Sequence, residues 1–306
     1  MMIKDVAVIG LGAVGALYAR KLDLGLGHEH VHAIAEGQRA LALRQGITIN
    51  GSLFKPDVKG YDEAHPDLII IAAKNFSLPA IMDQGLGKLI GAKTSIISLL
   101  NGIESEELLS RAYGEEHVLM AYAVGLSSER KGLSIEFTSD GRIVFGERDN
   151  SITERVVEIK ALLDRCLIKN EVPRDIIHQM WRKFALNTAY NTLSAICRSG
   201  YGAFSTSAYL KGLVEDVFSE VKAVGHAQGV ELNEEDFADI RASIARLDPA
   251  GKTSMLQDME AARATESPWF TLTVEKLGKH HGIPTPVCSL LYRVSMAASD
   301  GASFKA

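Results

Sequence analysis

The chain lacks the features that define several large protein classes. Of its 306 residues three are cysteines (Cys166, Cys197 and Cys288), odd in number and far apart. They encode neither a disulfide framework nor a paired-cysteine metal site, and buried or incidental thiols in a reducing cytoplasm are expected. Basic residues are not in excess: 33 Lys+Arg stand against 38 Asp+Glu, a formal net charge of −5, with no long block of one sign. A sequence-independent nucleic-acid binder needs a basic footprint, so no nucleic acid is expected as a partner. Long apolar runs are lacking too. The run over residues 68–73 stops at Lys74, far short of the roughly 18 apolar residues that span a bilayer. The opening Met1-Met2-Ile3-Lys4-Asp5 leads into an apolar strand and a glycine turn, not into the basic and then long apolar segments of a secretory signal. A cytoplasmic protein without a membrane partner is expected. No internal repeat or low-complexity linker is present.

What remains is an ordinary globular composition, 46% apolar, 23% charged and 7% aromatic, in a chain long enough for two domains. In the first half, short apolar runs alternate with helix-like stretches. Residues 6–9, 31–35, 67–73, 94–100 and 118–124 read as strands, and the third is continuously apolar, as in a parallel sheet covered on both faces. Such alternation means βαβ units. Residues 134–138 and 142–145 flank Ser139-Asp140-Gly141, and an Asp-Gly between two β-rich runs is a hairpin signal; antiparallel strands are expected to close the sheet, followed by a helix over 153–165. Beyond residue 170 strand signals vanish. Residues 174–197 contain neither Pro nor Gly and carry apolar residues at helical spacing, and further helices are expected over 208–227, 234–247 and 268–280.

Three local patterns carry chemistry. Gly10-Leu11-Gly12-Ala13-Val14-Gly15 follows the first strand and opens a helix. That is the setting in which the first glycine permits a tight turn, the second a close approach of backbone to a pyrophosphate, and the third close helix packing. Glu36 stands at the end of the next strand, where a carboxylate can accept hydrogen bonds from both ribose hydroxyls and repel a 2′-phosphate; a solvated charge at a helix start is the competing reading. Lys74 and the Asn101-Gly102 pair follow the next two strands, at the carboxyl ends where open α/β sheets bind ligands. The second pattern is Lys183, Asn187 and Asn191, spaced i, i+4, i+8. In an α-helix they share one face with a drift of about 40° per step. Asparagine is a poor interior helix residue, so the stripe reads either as the lining of something polar or as a hydrated helix face. The third is Lys252-Thr253-Ser254-Met255-Leu256-Gln257-Asp258, followed by Thr265-Glu266-Ser267-Pro268. Ser267 reads as an N-cap and Pro268 as a first helical residue, and Glu266 sits where a helix start favours negative charge. The fold class is therefore α/β: a Rossmann-type dinucleotide-binding domain over residues 1–170 and an all-helical domain over 171–306.

Taken together, the glycine motif, Lys74, Asn101-Gly102, the Trp181-x-Lys183-x-x-x-Asn187-x-x-x-Asn191 helix, Ser254-Met255-x-Gln257-Asp258 and Thr265-Glu266 resemble the ketopantoate reductases (2-dehydropantoate 2-reductases) over nearly the whole chain. The resemblance implies NAD(P)H-dependent reduction of ketopantoate to pantoate, a step toward pantothenate and coenzyme A, with Lys183 as proton donor and Asn187, Asn191 and Ser254 binding substrate. It further implies that Asn101 touches both cofactor and substrate, and that Lys74, Glu266 and backbone around Ser127 contact the cofactor. Carbonyl reduction needs a hydride and a proton, and an ammonium beside the developing alkoxide stabilises its charge and supplies the proton; no metal is required. The chain departs from the family at Glu36, where an arginine suited to NADP is usual, so NADH is expected to be at least tolerated. It departs again at Ser267-Pro268-Trp269-Phe270 and at Tyr201, changes suited to a paralogue acting on another branched 2-oxo acid. A catalytically silent dinucleotide-binding regulator is a third reading, opposed by the presence of Lys183, Asn187, Asn191, Ser254 and Glu266 together. The helical half offers surface for a homodimer.

Overall fold

The computed structural model describes residues 3–303, and the chain divides into two compact units between Ile176 and Ile177. The first unit contains β1 (Val6–Ile9), α1 (Ala13–Leu26), β2 (Val31–Ile34), α2 (Gly37–Arg44), β3 (Ile47–Ile49), β4 (Ser52–Phe54), β5 (Asp57–Lys59), β6 (Leu68–Ile71) and α3 (Leu78–Gln84). It continues through β7 (Ser95–Ser98), α4 (Ser105–Tyr113), β8 (Val118–Lys131), β9 (Ser134–Gly146), α5 (Glu154–Arg165) and β10 (Asn170–Glu171).

The strands form one sheet in the order β4-β3-β9-β8-β7-β6-β1-β2-β5, with β10 added beside β9. From β5 to the start of β8 every pairing is parallel. Both faces of β1 and β6 are buried, which explains why their sequences, Val-Ala-Val-Ile and Leu-Ile-Ile-Ile, are apolar throughout rather than alternating. On one face Val6, Val8, Leu68, Ile70 and Ile97 share an apolar cluster with Ala16, Leu17 and Leu22 of α1 and Val156, Ile159 and Leu163 of α5.

The antiparallel closure expected from residues 134–145 is present, but its turn lies elsewhere. β9 runs unbroken from Ser134 to Gly146 against β8, and the chain reverses at Gly132-Leu133. The Asp140-Gly141 pair sits inside β9. Gly141 has φ +60° and faces Gly125, with φ +75°, across the ladder. A methyl group on Gly141 would lie 2.5 Å from the Val124 carbonyl oxygen. The glycine thus serves a close backbone crossing in a long, bent hairpin, a use of positive φ that looks locally like a turn. The strands β3, β4 and β5, three residues each, were too short for periodicity to reveal.

The second unit is helical: α6 (Ile176–Leu186), starting at the boundary, a π-helical turn (Asn187–Asn191), α7 (Thr192–Cys197), α8 (Gly202–Thr206), α9 (Ala208–Ala227), α10 (Glu234–Ala245), α11 (Ser254–Glu260), α12 (Thr271–His281) and α13 (Pro286–Ser303). The uninterrupted helix expected over 174–197 is therefore split by a π turn, and it ends at Arg198 in the left-handed region, φ +48°. The helix expected from Pro268 begins at Thr271 instead. Ser267–Trp269 forms a 3-10 turn whose N-cap is Glu266, not Ser267. Phe218 and Phe237 stack with centroids 4.4 Å apart, Trp181 and Phe184 meet edge to face at 5.5 Å, and Tyr190 packs on Phe204 at 4.8 Å. Among the described residues no helix is long and apolar enough to cross a membrane, and no group of three or more His, Cys, Asp or Glu is placed to hold a metal ion.

Candidate active site

In the first unit the parallel register decides what comes together. Ile9 stands level with Ile34 on one side and Ile71 on the other, and Ile71 with Ser98. The residues just past these positions, Gly10, Glu36, Lys74 and Asn101, therefore follow the same edge of the sheet, although 91 positions separate the first from the last in the sequence.

The glycine loop has the form of a dinucleotide cradle. Gly10 has φ +88°, and a methyl group there would lie 2.6 Å from the Ala73 nitrogen. Gly15 sits in the first turn of α1, where a methyl group would lie 2.3 Å from the Gly10 carbonyl oxygen and 3.2 Å from the Ala72 side chain. Any larger residue at either position would push strand, loop and helix apart. Gly12 is the N-cap of α1, followed by Ala13 and Val14. No side chain caps this helix and no acidic residue lies in its first turn. Its leading N–H groups and positive dipole end thus face an anion's place, as a bound pyrophosphate would require. The residues present fit a dinucleotide.

Arg39 on α2 donates to the Leu11 carbonyl at 2.6 Å and so ties the second βα unit to the glycine loop. Glu36, exposed, is the N-cap of α2 and makes no side-chain cap bond to it. A second carboxylate stands close by. Glu63 accepts from the Gly60 N–H at 2.8 Å, and a methyl group on Gly60 would lie 3.7 Å from Glu63 Oε2 and 3.9 Å from Glu36 Oε1. Burial, then the charge of Glu36 and the neighbouring Tyr113, push the Tyr61 phenol up to about 12.

Lys74, half-buried, is the N-cap of a 3-10 turn over Asn75–Ser77. Asn75 is 3% exposed, and its Nδ2 donates to the Asn101 carbonyl at 2.7 Å, joining the two loops. Ser127 lies further along β8, on the carboxyl side of the stretch that pairs in parallel with β7. It is exposed and sits at a register shift in the ladder with β9.

In the second unit Lys183 is half-buried on α6. The helix is held by contacts to α10: His178 Nε2 lies 2.9 Å from Asp236 Oδ1, and Arg182 lies 3.1 Å from both Asp236 and Asp239. Asp236 is itself anchored in a capping box with Asn233. Asn187 and Asn191 begin and end the π turn, where the helical repeat widens. Asn191 Nδ2 donates to Asn187 Oδ1 at 3.2 Å. Asn187 is 5% exposed, and its Nδ2 has no hydrogen-bond partner among the described residues. A buried amide donor of this kind can bond a ligand or an ordered water.

Ser254 is the exposed first residue of α11, which packs against α7 and the π turn. Its predecessor Thr253 caps α11 by accepting from Leu256 N–H and bonds Ser194 Oγ on α7 at 3.1 Å, holding the two helix ends together. Glu266 is 3% exposed at the start of the 3-10 turn, and its carbonyl accepts from Trp269 N–H at 2.9 Å. Sequence reasoning missed Asn75, Glu63 and Thr253. Asn75 alone carried a local signal, a polar residue directly after Lys74 at a strand end.

The chain can be set beside known proteins. The family model for ketopantoate reductase PanE/ApbA matches residues 6–150, and that for the ketopantoate reductase PanE/ApbA C terminal matches residues 175–299. A 2-dehydropantoate 2-reductase of Archaeoglobus fulgidus is 25% identical over 305 residues, covering 98% of this chain and all of that one. Among solved structures, a ternary complex of D-mandelate dehydrogenase with NADH and anilino(oxo)acetate superposes with a TM-score of 0.88 at 20% identity, covering 98% of this chain and 99% of that one. A PanE/ApbA family ketopantoate reductase from Ralstonia eutropha JMP134 gives 0.84 at 24% identity with the same coverage. At such identities these structures speak to the fold, which is shared from end to end, while the two family models together span both units. The chain belongs to the ketopantoate reductase family of oxidoreductases.

Proposed function

We propose that this protein reduces ketopantoate to pantoate with a nicotinamide dinucleotide, a step toward pantothenate and coenzyme A, and that Lys183 is the proton donor. The observation that carries the reading is the Lys183–Asn187–Asn191 stripe, whose π turn leaves a buried amide donor of Asn187 open for a ligand. The bound dinucleotide would supply the hydride to the keto carbon. The loop from Gly10 to Gly15 and the start of α1 would hold its pyrophosphate, Glu36 its adenine ribose, and Lys74, Asn101, Glu266 and backbone near Ser127 its remaining length. Lys183 stabilises the developing alkoxide and protonates it. Asn187, Asn191 and Ser254 hydrogen-bond the carboxylate and hydroxyl of the 2-oxo acid, and Asn101 reaches the substrate as well as the cofactor.

Glu36 and Glu63 together favour NADH. Two carboxylates flanking Gly60 oppose the charge of a 2′-phosphate, while Arg39 is engaged at the Leu11 carbonyl. A second reading, reduction of another branched or bulky 2-oxo acid, is favoured by Tyr201. Its N–H donates to the Gly251 carbonyl at 3.1 Å, and a methyl group on Gly251 would lie 3.1 Å from its ring, which sets an aromatic wall on the loop leading to Thr253 and Ser254. Steady-state kinetics with ketopantoate and a panel of 2-oxo acids, each with NADH and NADPH, tests both. Turnover of ketopantoate with NADH at least as efficient as NADPH is expected. Turnover confined to another acid moves the assignment to the second reading, and nucleotide binding without any turnover overturns both in favour of a silent regulator.

A further inference from the structure

Asn101 owes its place to a flexible piece of chain. It is followed by Gly102 at φ +96°, and a peptide unit next to glycine can rotate at little cost. The Asn101 carbonyl belongs to that peptide unit, and it is the group that receives the Asn75 amide at 2.7 Å. The acceptor is a carbonyl oxygen, so the Asn75 side chain must present its NH₂. Asn75 is buried and stands beside Lys74 at the end of β6, so one bond couples the two polar strand ends on the cofactor edge. From the other side the same loop is braced by a buried chain: Leu100 N–H donates to Ser98 Oγ at 3.4 Å, Ser98 Oγ lies 2.8 Å from Ser105 Oγ, and Ser105 Oγ donates to Glu106 at 2.9 Å. That network holds the strand end and the start of α4, and the Asn75 bond holds the peptide between them.

We propose that Asn75 is a positioning residue, which fixes the Asn101–Gly102 peptide and thereby sets the Asn101 side chain toward cofactor and substrate. The inference rests on the role given to Asn101 above. Its test is a double-mutant cycle in the full chain: Asn75→Ala, Asn101→Ala and the pair, measured by NADH fluorescence titration and by turnover. Asn75→Ala alone should weaken NADH binding or lower kcat roughly tenfold, the upper range for one lost hydrogen bond, and add less than about twofold in the Asn101→Ala background. Wild-type binding and turnover in Asn75→Ala, or full multiplication of the two effects, would overturn it. Asn75→Asp keeps the volume but loses the donor at neutral pH; its deficit relative to wild type should shrink as its carboxyl becomes protonated and can donate again. A deficit independent of pH in that variant counts against the proposal, as does failure of both variants to fold. Because the titration needs no turnover, a protein that binds NADH but reduces no 2-oxo acid would sink the reductase reading while leaving the binding cycle to decide on Asn75.

Discussion

At the scale of single residues, burial and pairing decide which charges matter. Glu147, at the end of β9, is the clearest structural case. It accepts from Thr153 at 2.5 Å and from Arg155 Nε at 2.6 Å, and Arg155 also donates to the Glu116 carbonyl. Burial pushes its carboxyl up, but the bonds from Arg155 and Thr153 more than offset this and hold it below the usual carboxylate range. A carboxyl depressed in the folded state stabilises above its unfolded pKa, and the contribution is lost as pH falls through the folded value. Glu147→Gln should therefore cost about 1–3 kcal/mol at neutral pH, with the gap to wild type closing in acid. Urea unfolding across pH measures this, and a gap that stays constant into acid would contradict the clamp. The candidate site shows the same dependence on context. The types and spacing of Gly10, Lys74, Asn101, Lys183, Asn187 and Asn191 were legible in the chain, because strand ends and helical repeats are local. The bond from Asn75 to Asn101 spans 26 positions between two loops, and no local pattern announces it.

At the scale of elements, helix ends explain much of the second unit. α13 begins at Pro286, and its leading N–H groups are satisfied from another helix. Glu220 on α9 accepts from Val287 at 2.7 Å and Cys288 at 2.8 Å, and burial together with this carboxylate pushes the Cys288 thiol up. Removing the carboxylate leaves one buried and one part-buried donor and a helix start without its counter-charge, so Glu220→Ala should destabilise the chain by about 2–4 kcal/mol. Chemical denaturation checks the magnitude, and hydrogen exchange at Val287 and Cys288 checks the place; a loss below about 0.5 kcal/mol would mean the cap is dispensable. Elements also mark where sequence reading stops. Strong apolar runs such as residues 68–71 are unmistakable. An Asp-Gly pair satisfies positive φ equally in a turn or in a bent strand, and only the pairing of β8 with β9 along their length puts the reversal at Gly132-Leu133. The π turn hides in the same way, since its residues keep helical composition.

At the scale of the whole molecule, the parallel register of one unit gathers a glycine loop, Glu36, Lys74 and Asn101 along one sheet edge, while in the other Lys183 lies on the helix that leads into the π turn carrying Asn187 and Asn191. Family membership and a shared fold follow from the whole chain; the proposed proton donor is a single side chain. The direct test is Lys183→Ala, compared with wild type for NADH affinity by fluorescence titration and for single-turnover oxidation of bound NADH by ketopantoate. Removing a positioned proton donor should slow the chemical step by about 10²–10⁴-fold, with NADH affinity unchanged within about twofold. Wild-type turnover in the variant, or a loss of turnover matched by an equal loss of NADH binding, would contradict the assignment of Lys183.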